Sequence, residues 1–255
     1  MPTYRLDIAY DGTEFHGYAR QPGVRTVQGE IESALATICP GDFETQVAGR
    51  TDAGVHARHQ VVSFCGDEID ANQAGRSLRG LLAPEISVTR CIQVDDAFSA
   101  RFSAKWRRYR YLVLNRPVAD PLRRHVTWHI SEPLDVDAMA EVAATMVGEH
   151  DFASFCRKAE GRSSVRTVLD ATWEACSEDI LQFDIRATAF CHQMVRSIVA
   201  FSTDVGRGRI DAESTAQVLA ARDRNHSRGA APPNGLILWE VCYKDEGLAP
   251  NPAIR

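Results

Sequence analysis

The residues that could do chemistry in this chain are gathered in three short stretches. The first is Ala48-Gly49-Arg50-Thr51-Asp52-Ala53-Gly54-Val55-His56-Ala57. Its two glycines suit a loop that turns tightly or lets a ligand approach the backbone. Between them lie one carboxylate, Asp52, and one guanidinium, Arg50. A carboxylate so placed can act as a nucleophile or stabilise positive charge developing on a sugar. It can equally cap a turn through nearby backbone amides, a frequent use of aspartate in Gly-rich loops. Asp52, His56 and His59 also stand at i, i+4 and i+7, which would suit a metal if they shared one helical face. The β-rich run that follows favours an extended segment, and extension sends His56 and His59 to opposite sides.

The second stretch, Arg101-Phe102-Ser103-Ala104-Lys105-Trp106-Arg107-Arg108-Tyr109-Arg110-Tyr111, holds five basic and four aromatic side chains and no acid. Cations contact phosphates and rings stack on bases, so this composition suits nucleic acid. A strand with a solvated basic face is the plainer alternative. Further basic clusters are Arg123-Arg124 and Arg157-Lys158, with Arg162 and Arg166 nearby. The third stretch, Phe190-Cys191-His192-Gln193-Met194-Val195-Arg196, begins a mostly apolar helix. An arginine facing a core is costly unless paired. Arg196 is therefore either a surface residue of an amphipathic helix or a cation aimed across a cleft at a carboxylate.

The periodicity around these stretches gives two halves of one pattern. Tyr4, Leu6, Ile8 and Tyr10 alternate with polar or small residues, the period of a half-buried strand. Thr26 caps a helix carrying Val27, Ile31, Ala34, Leu35 and Ile38, ended by Cys39-Pro40-Gly41. Strand-like runs follow at residues 43–48 and 60–64. Asp70 and Gln73 resemble a capping box for a helix ended by Pro84, and residues 87–94 read as a strand. The order is β-α-β-β-α-β. It recurs as a strand over 109–114, a helix opened by Asp135 with Gly148 closing it, a hairpin of 168–176 and 181–187, a helix over 192–205 and a strand over 236–243. An extra helix is expected over 211–222.

This predicts an α+β chain of two split-βαβ, ferredoxin-like halves sharing a central antiparallel sheet, with helices on one face and a cleft at the junction. The divisions are 1–104 with the Asp52 loop, 105–245, and a frayed tail at 246–255. Composition agrees: 255 residues can bury a core without a disulfide or metal staple, and 44% hydrophobic with 25% charged residues is ordinary for a globular protein. No apolar window is long enough to span a membrane, and Met1–Asp7 reads as carrying no signal peptide. Seven scattered cysteines without a C-x-x-C predict reduced, mostly buried thiols in a cytoplasmic protein. The net charge of −5 does not itself suggest nucleic acid, but a net figure can hide a local basic patch.

The three stretches together resemble the tRNA pseudouridine synthase A family. The catalytic-loop match is Gly49-Arg50-Thr51-Asp52-Ala53-Gly54-Val55-His56. Further landmarks in order are Asp11–Tyr18, Arg101–Ala104, Arg107–Tyr111, His150–Phe155, His192–Arg196 and Asn234-Gly235-Leu236, so the resemblance covers roughly residues 3–245. It implies isomerisation of uridine to pseudouridine at positions 38, 39 and 40 of the tRNA anticodon arm, by a homodimer with no metal or organic cofactor. It makes Asp52 the nucleophile, Tyr109 the base-contacting tyrosine and Arg196 the partner of the catalytic carboxylate. Arg50, Lys105, Arg107, Arg108 and Arg110 become the candidate RNA contacts. Trp106, where a small residue often stands, and Ala57-Arg58-His59 after the loop depart from the family pattern.

Overall fold

The computed structural model describes residues 1–39, 41–157, 161, 163–177, 179–227 and 229–244. The expected tail at 246–255, together with Lys158, Arg162 and Glu178 of the expected hairpin turn, lies outside the described residues.

The N-terminal half runs β1 (Thr3–Tyr10), α1 (Val27–Ile38), β2 (Glu44–Val47), β3 (His56–Cys65), α2 (Ala71–Leu82) and β4 (Ile86–Val94). Both helices start where the sequence predicts, because the caps are local. The Thr26 hydroxyl accepts from the Gly29 N–H, and the Asp70 carboxylate accepts from those of Asn72 and Gln73. The C-terminal half runs β5 (Trp106–Asn115), β6 (Trp128–Ile130), α3 (Val136–Thr145), β7 (Gly148–Asp151), β8 (Val165–Ala175), β9 (Ile180–Ala187), α4 (Met194–Gly206), α5 (Thr215–Ala221) and β10 (Leu236–Cys242).

Three expectations need correction. Gly148 opens β7 rather than closing α3 at its C′ position, because Met146 already caps that helix. The helix expected over 211–222 is a 3₁₀ turn, Ala212–Ser214, followed by the short α5. Only Cys39, Cys91 and Cys156 of the seven free cysteines are buried, whereas Cys65 and Cys176 are exposed.

The strands form one sheet in the order β4-β1-β3-β10-β5-β9-β8-β7, with β2 on β3 and β6 on β5. The sheet is mostly antiparallel, but β10 runs parallel to β3, and β6 parallel to β5. Read by halves, β4-β1-β3-β2 and β10-β5-β9-β8 have the same wiring. The halves meet because β10 pairs with β5 on one side and with the first residues of β3 on the other.

Register carries one face across that seam. Tyr10 pairs with Ala57, Ala57 with Leu238, Leu238 with Tyr109, Tyr109 with Ile185 and Ile185 with Ala171. All six are buried, in one core that also takes in residues of α1 to α5. α1 packs on α2 and α3 on α4. No helix among the described residues is long and apolar enough to cross a membrane.

Candidate active site

Asp52 sits in the β2–β3 loop, at the seam between the halves. The loop is held from below. The Tyr18 N–H donates to the Thr51 carbonyl at 3.0 Å, and the Thr51 and Tyr10 hydroxyls meet at 2.8 Å in a buried contact. Gly54 takes a positive φ of 76°, which a side chain would resist, and its N–H donates to the Phe15 carbonyl. Gly12 has no room for a side chain, since a Cβ there would run into the Val55 carbonyl.

His56 completes this frame. Its Nε2–H donates to the His125 carbonyl at 2.7 Å, leaving Nδ1 to accept from the Gly12 N–H at 3.0 Å. Both ring nitrogens are thereby used structurally. His59, on the extended strand, turns instead toward Asp7 and the Val241 N–H. Asp52, His56 and His59 do not converge, and no metal-holding cluster of three such side chains occurs among the described residues.

The Asp52 side chain does not cap its own turn. Its Oδ2 accepts from Arg196 Nη1 at 2.9 Å, across the junction from α4. The Arg196 Nε donates to the Ala231 carbonyl at 2.7 Å, while the Ala231 N–H donates back to the Arg196 carbonyl. The guanidinium is thus anchored to main chain at one end and aimed at the carboxylate at the other. The contact uses one nitrogen and one oxygen, not a two-pronged fork. The second oxygen, Oδ1, stands 3.3 Å from His192 Nε2. The sequence shows His192 beside Arg196 but does not reveal this contact. A second unforeseen feature is Gln193, whose φ of 64° delays the start of α4 to Met194 instead of the predicted 192.

A cleft of about 1190 Å³ opens above Asp52, and Arg50, Arg101, Phe102, Tyr109, Arg166 and Phe190 are among the residues lining it. That volume is ample for a nucleotide and its neighbours. Tyr109 lies in the cleft wall with its ring edge-on to Phe190, centroids 4.9 Å apart. Burial, with Tyr10 and Asp52 adding to it, pushes the Tyr109 hydroxyl well above the ordinary tyrosine value, so the phenol stays protonated. Arg50 and Arg101 are exposed in the cleft, and Phe102 at its rim is 75% exposed with the Arg101 guanidinium over its ring.

The basic strand divides. Arg107 lies on the Tyr109 face, but its guanidinium donates to the carbonyls of Ala48, Arg101, Ala104 and Thr188. It ties the start of the Asp52 loop to the cleft rim through these carbonyls. Alternation along β5 puts Arg108 and Arg110 on the opposite face. There Arg110 pairs with Asp184 through two hydrogen bonds and stacks 3.8 Å over the Trp239 ring centroid. Lys105 is exposed just before β5 begins. Strand geometry thus puts Arg108 and Arg110 on the face away from the cleft, apart from Arg107.

Comparison with known proteins identifies the family. A family profile described as tRNA pseudouridine synthase matches residues 8–103 and 142–244. A tRNA pseudouridine synthase A of Streptomyces griseus is 46% identical over 253 residues, covering 96% of this chain and 89% of the relative. Relatives of the same name from Halalkalibacterium halodurans and Myxococcus xanthus are 44% and 37% identical, covering 93% and 99% of this chain and 91% and 96% of their own. With a family match across most of its length and a carboxylate, tyrosine and arginine gathered at the seam of its sheet, this chain belongs to the tRNA pseudouridine synthases and is an isomerase.

Proposed function

We propose that this chain converts uridine to pseudouridine at positions 38, 39 and 40 of the tRNA anticodon stem-loop, with Asp52 as nucleophile on a base flipped from its stack. The observation that carries the reading is the Asp52–Arg196 pair, which spans both halves at the floor of a cleft large enough for a nucleotide. In this reaction the N1–C1′ bond breaks, the base turns, and a C5–C1′ bond forms. A proton leaves C5 and N1 ends protonated. No electrons are exchanged with an outside reagent, so the chemistry calls for no redox cofactor. A carboxylate serves whether it adds to the sugar or to the base, and Arg196 holds one of its oxygens in place. The wall of the cleft shields a detached base from water.

Flipping costs a few kcal/mol of lost stacking. The Tyr109 ring offers a surface on which to recover part of it. Because the buried phenol is protonated, any proton it accepts from C5 must be matched by one it passes on. Arg50, Arg101 and Phe102 supply the charge and ring at the mouth. Homodimeric assembly and a cytoplasmic site of action come with the family resemblance.

The test is incubation with unmodified tRNA tritiated at uridine C5. Release that plateaus at one to three equivalents, with the product mapped to the anticodon arm, is the expected result. No release overturns the reaction; release mapped elsewhere overturns the positions.

A further inference from the structure

Asp52 borders two adjoining spaces. One is the cleft of about 1190 Å³, and the other is a recess of about 530 Å³ reaching His16 and Pro233; Asp52, His192 and Arg196 line both. Which oxygen and which edge of the carboxylate each space meets depends on rotation about Cβ–Cγ. That torsion is soft for aspartate, with broad two-fold preferences. Arg196 holds only one oxygen, through one nitrogen, so it fixes a point and leaves the plane free to swing. A second contact on Oδ1 is needed to fix the plane, and His192 Nε2 stands 3.3 Å from that oxygen.

The backbone is built to put the imidazole there. Gln193, next in the chain, is one of two non-glycine residues among those described with a left-handed φ, a conformation that L side chains seldom adopt. It is held in place because Arg224 Nη2 donates to Gln193 Oε1 at 2.5 Å and the Arg157 N–H donates to the His192 carbonyl at 2.9 Å. Backbone strain supported in this way is commonly found where a side chain must be aimed.

Resting on the proposed role of Asp52, we propose that His192 is a second positioning residue: with Arg196 it fixes the plane of the Asp52 carboxylate in the orientation that the reaction in the cleft requires. His192 takes no part in binding RNA on this account. Its side chain is 48% exposed and is not a core element, so replacing it leaves the fold intact.

The test compares His192→Ala, His192→Gln and Asp52→Asn under single-turnover conditions with C5-tritiated tRNA, alongside tRNA affinity. His192→Ala is expected to slow the chemical step about 10- to 100-fold, the scale of a small misplacement of a reacting group, with affinity within about twofold. His192→Gln, which keeps a side-chain N–H of similar reach, is expected to recover most of the rate. The proposal is overturned if His192→Ala is as fast as the parent or faster, if its defect is in affinity rather than rate, or if His192→Gln is no better than alanine. Asp52→Asn separates this from the underlying reading: if that variant stays active, the assignment of Asp52 itself is wrong.

Discussion

In the C-terminal half, β8 runs beside β9 from Val168 to Ala175, and only four residues separate the two strands in the chain. In the N-terminal half the equivalent strand, β2, pairs with β3 only from Glu44 to Val47, and the connection is the loop 48–55. The shorter strand has two consequences. It leaves the first residues of β3 unpaired on that side, and β10 from the other half takes the place at His56 and Ala57. An unpaired sheet edge is a liability, and here it becomes the join between halves. The chain not spent on β2 is also free to form the loop that carries Asp52. The same wiring thus yields a hairpin in one half and the Asp52 seam in the other, so the proposed chemistry falls where the repeat is imperfect.

Loss of the carboxylate tests this contrast most severely. Asp52→Asn keeps the loop's shape and is expected to lower turnover by at least about 10³-fold with little change in tRNA affinity; a tenth of the parent's tritium-release rate would break the account. Next is its partner from the other half. Arg196→Met should cost about 10²-fold in turnover through misplacement of Asp52. It should also cost about 1–3 kcal/mol of stability, because charged hydrogen bonds to Asp52 and Ala231 are lost. Arg196→Lys, which cannot serve both acceptors, should recover only part of the rate.

A backbone comparison sharpens the difference between the two connections. Gly12→Ala drives a methyl into the Val55 carbonyl and should destabilise by about 1–3 kcal/mol in denaturant unfolding. Ser177→Ala, at an exposed residue of the short connection in the other half, should stay within about 0.5 kcal/mol. If both are neutral, the seam loop is no more constrained than an ordinary turn.

Tyr109 separates ring from hydroxyl. Tyr109→Leu should weaken tRNA binding by roughly 1–3 kcal/mol, the worth of one stacked base. Tyr109→Phe should keep affinity and turn over slowly; full activity in that variant would leave the ring as the tyrosine's whole contribution. The smallest effect is in salt dependence. Arg50→Ala and Arg101→Ala should each flatten the log–log salt slope of tRNA binding by about 0.7–0.9. Arg110→Gln should leave it unchanged, because that guanidinium is occupied by Asp184 and Trp239 on the far face. A slope flattened by Arg110→Gln would place RNA on the wrong side of the sheet for this account.

The sequence by itself determined what depends on near neighbours. The Thr26 and Asp70 caps set the starts of α1 and α2, alternation from Tyr4 to Tyr10 made β1, and the doubled β-α-β-β-α-β order announced two like halves. The Gly49–His56 motif named the carboxylate, and one cation in an apolar helix suggested its partner. Strands as short as β6 and β7 escaped, since three or four residues carry too little alternation to read. Tertiary structure alone decided which side chains remain available. The arginines of β5 look alike in a row, yet Arg107 is consumed by four carbonyls and Arg110 by an acid and a ring, through partners up to 129 residues away in the chain. The same holds for β10 entering between β3 and β5, and for His192 reaching Asp52. Capping and periodicity act over a turn or two of chain, whereas strand order and ion pairing are settled only when distant segments meet.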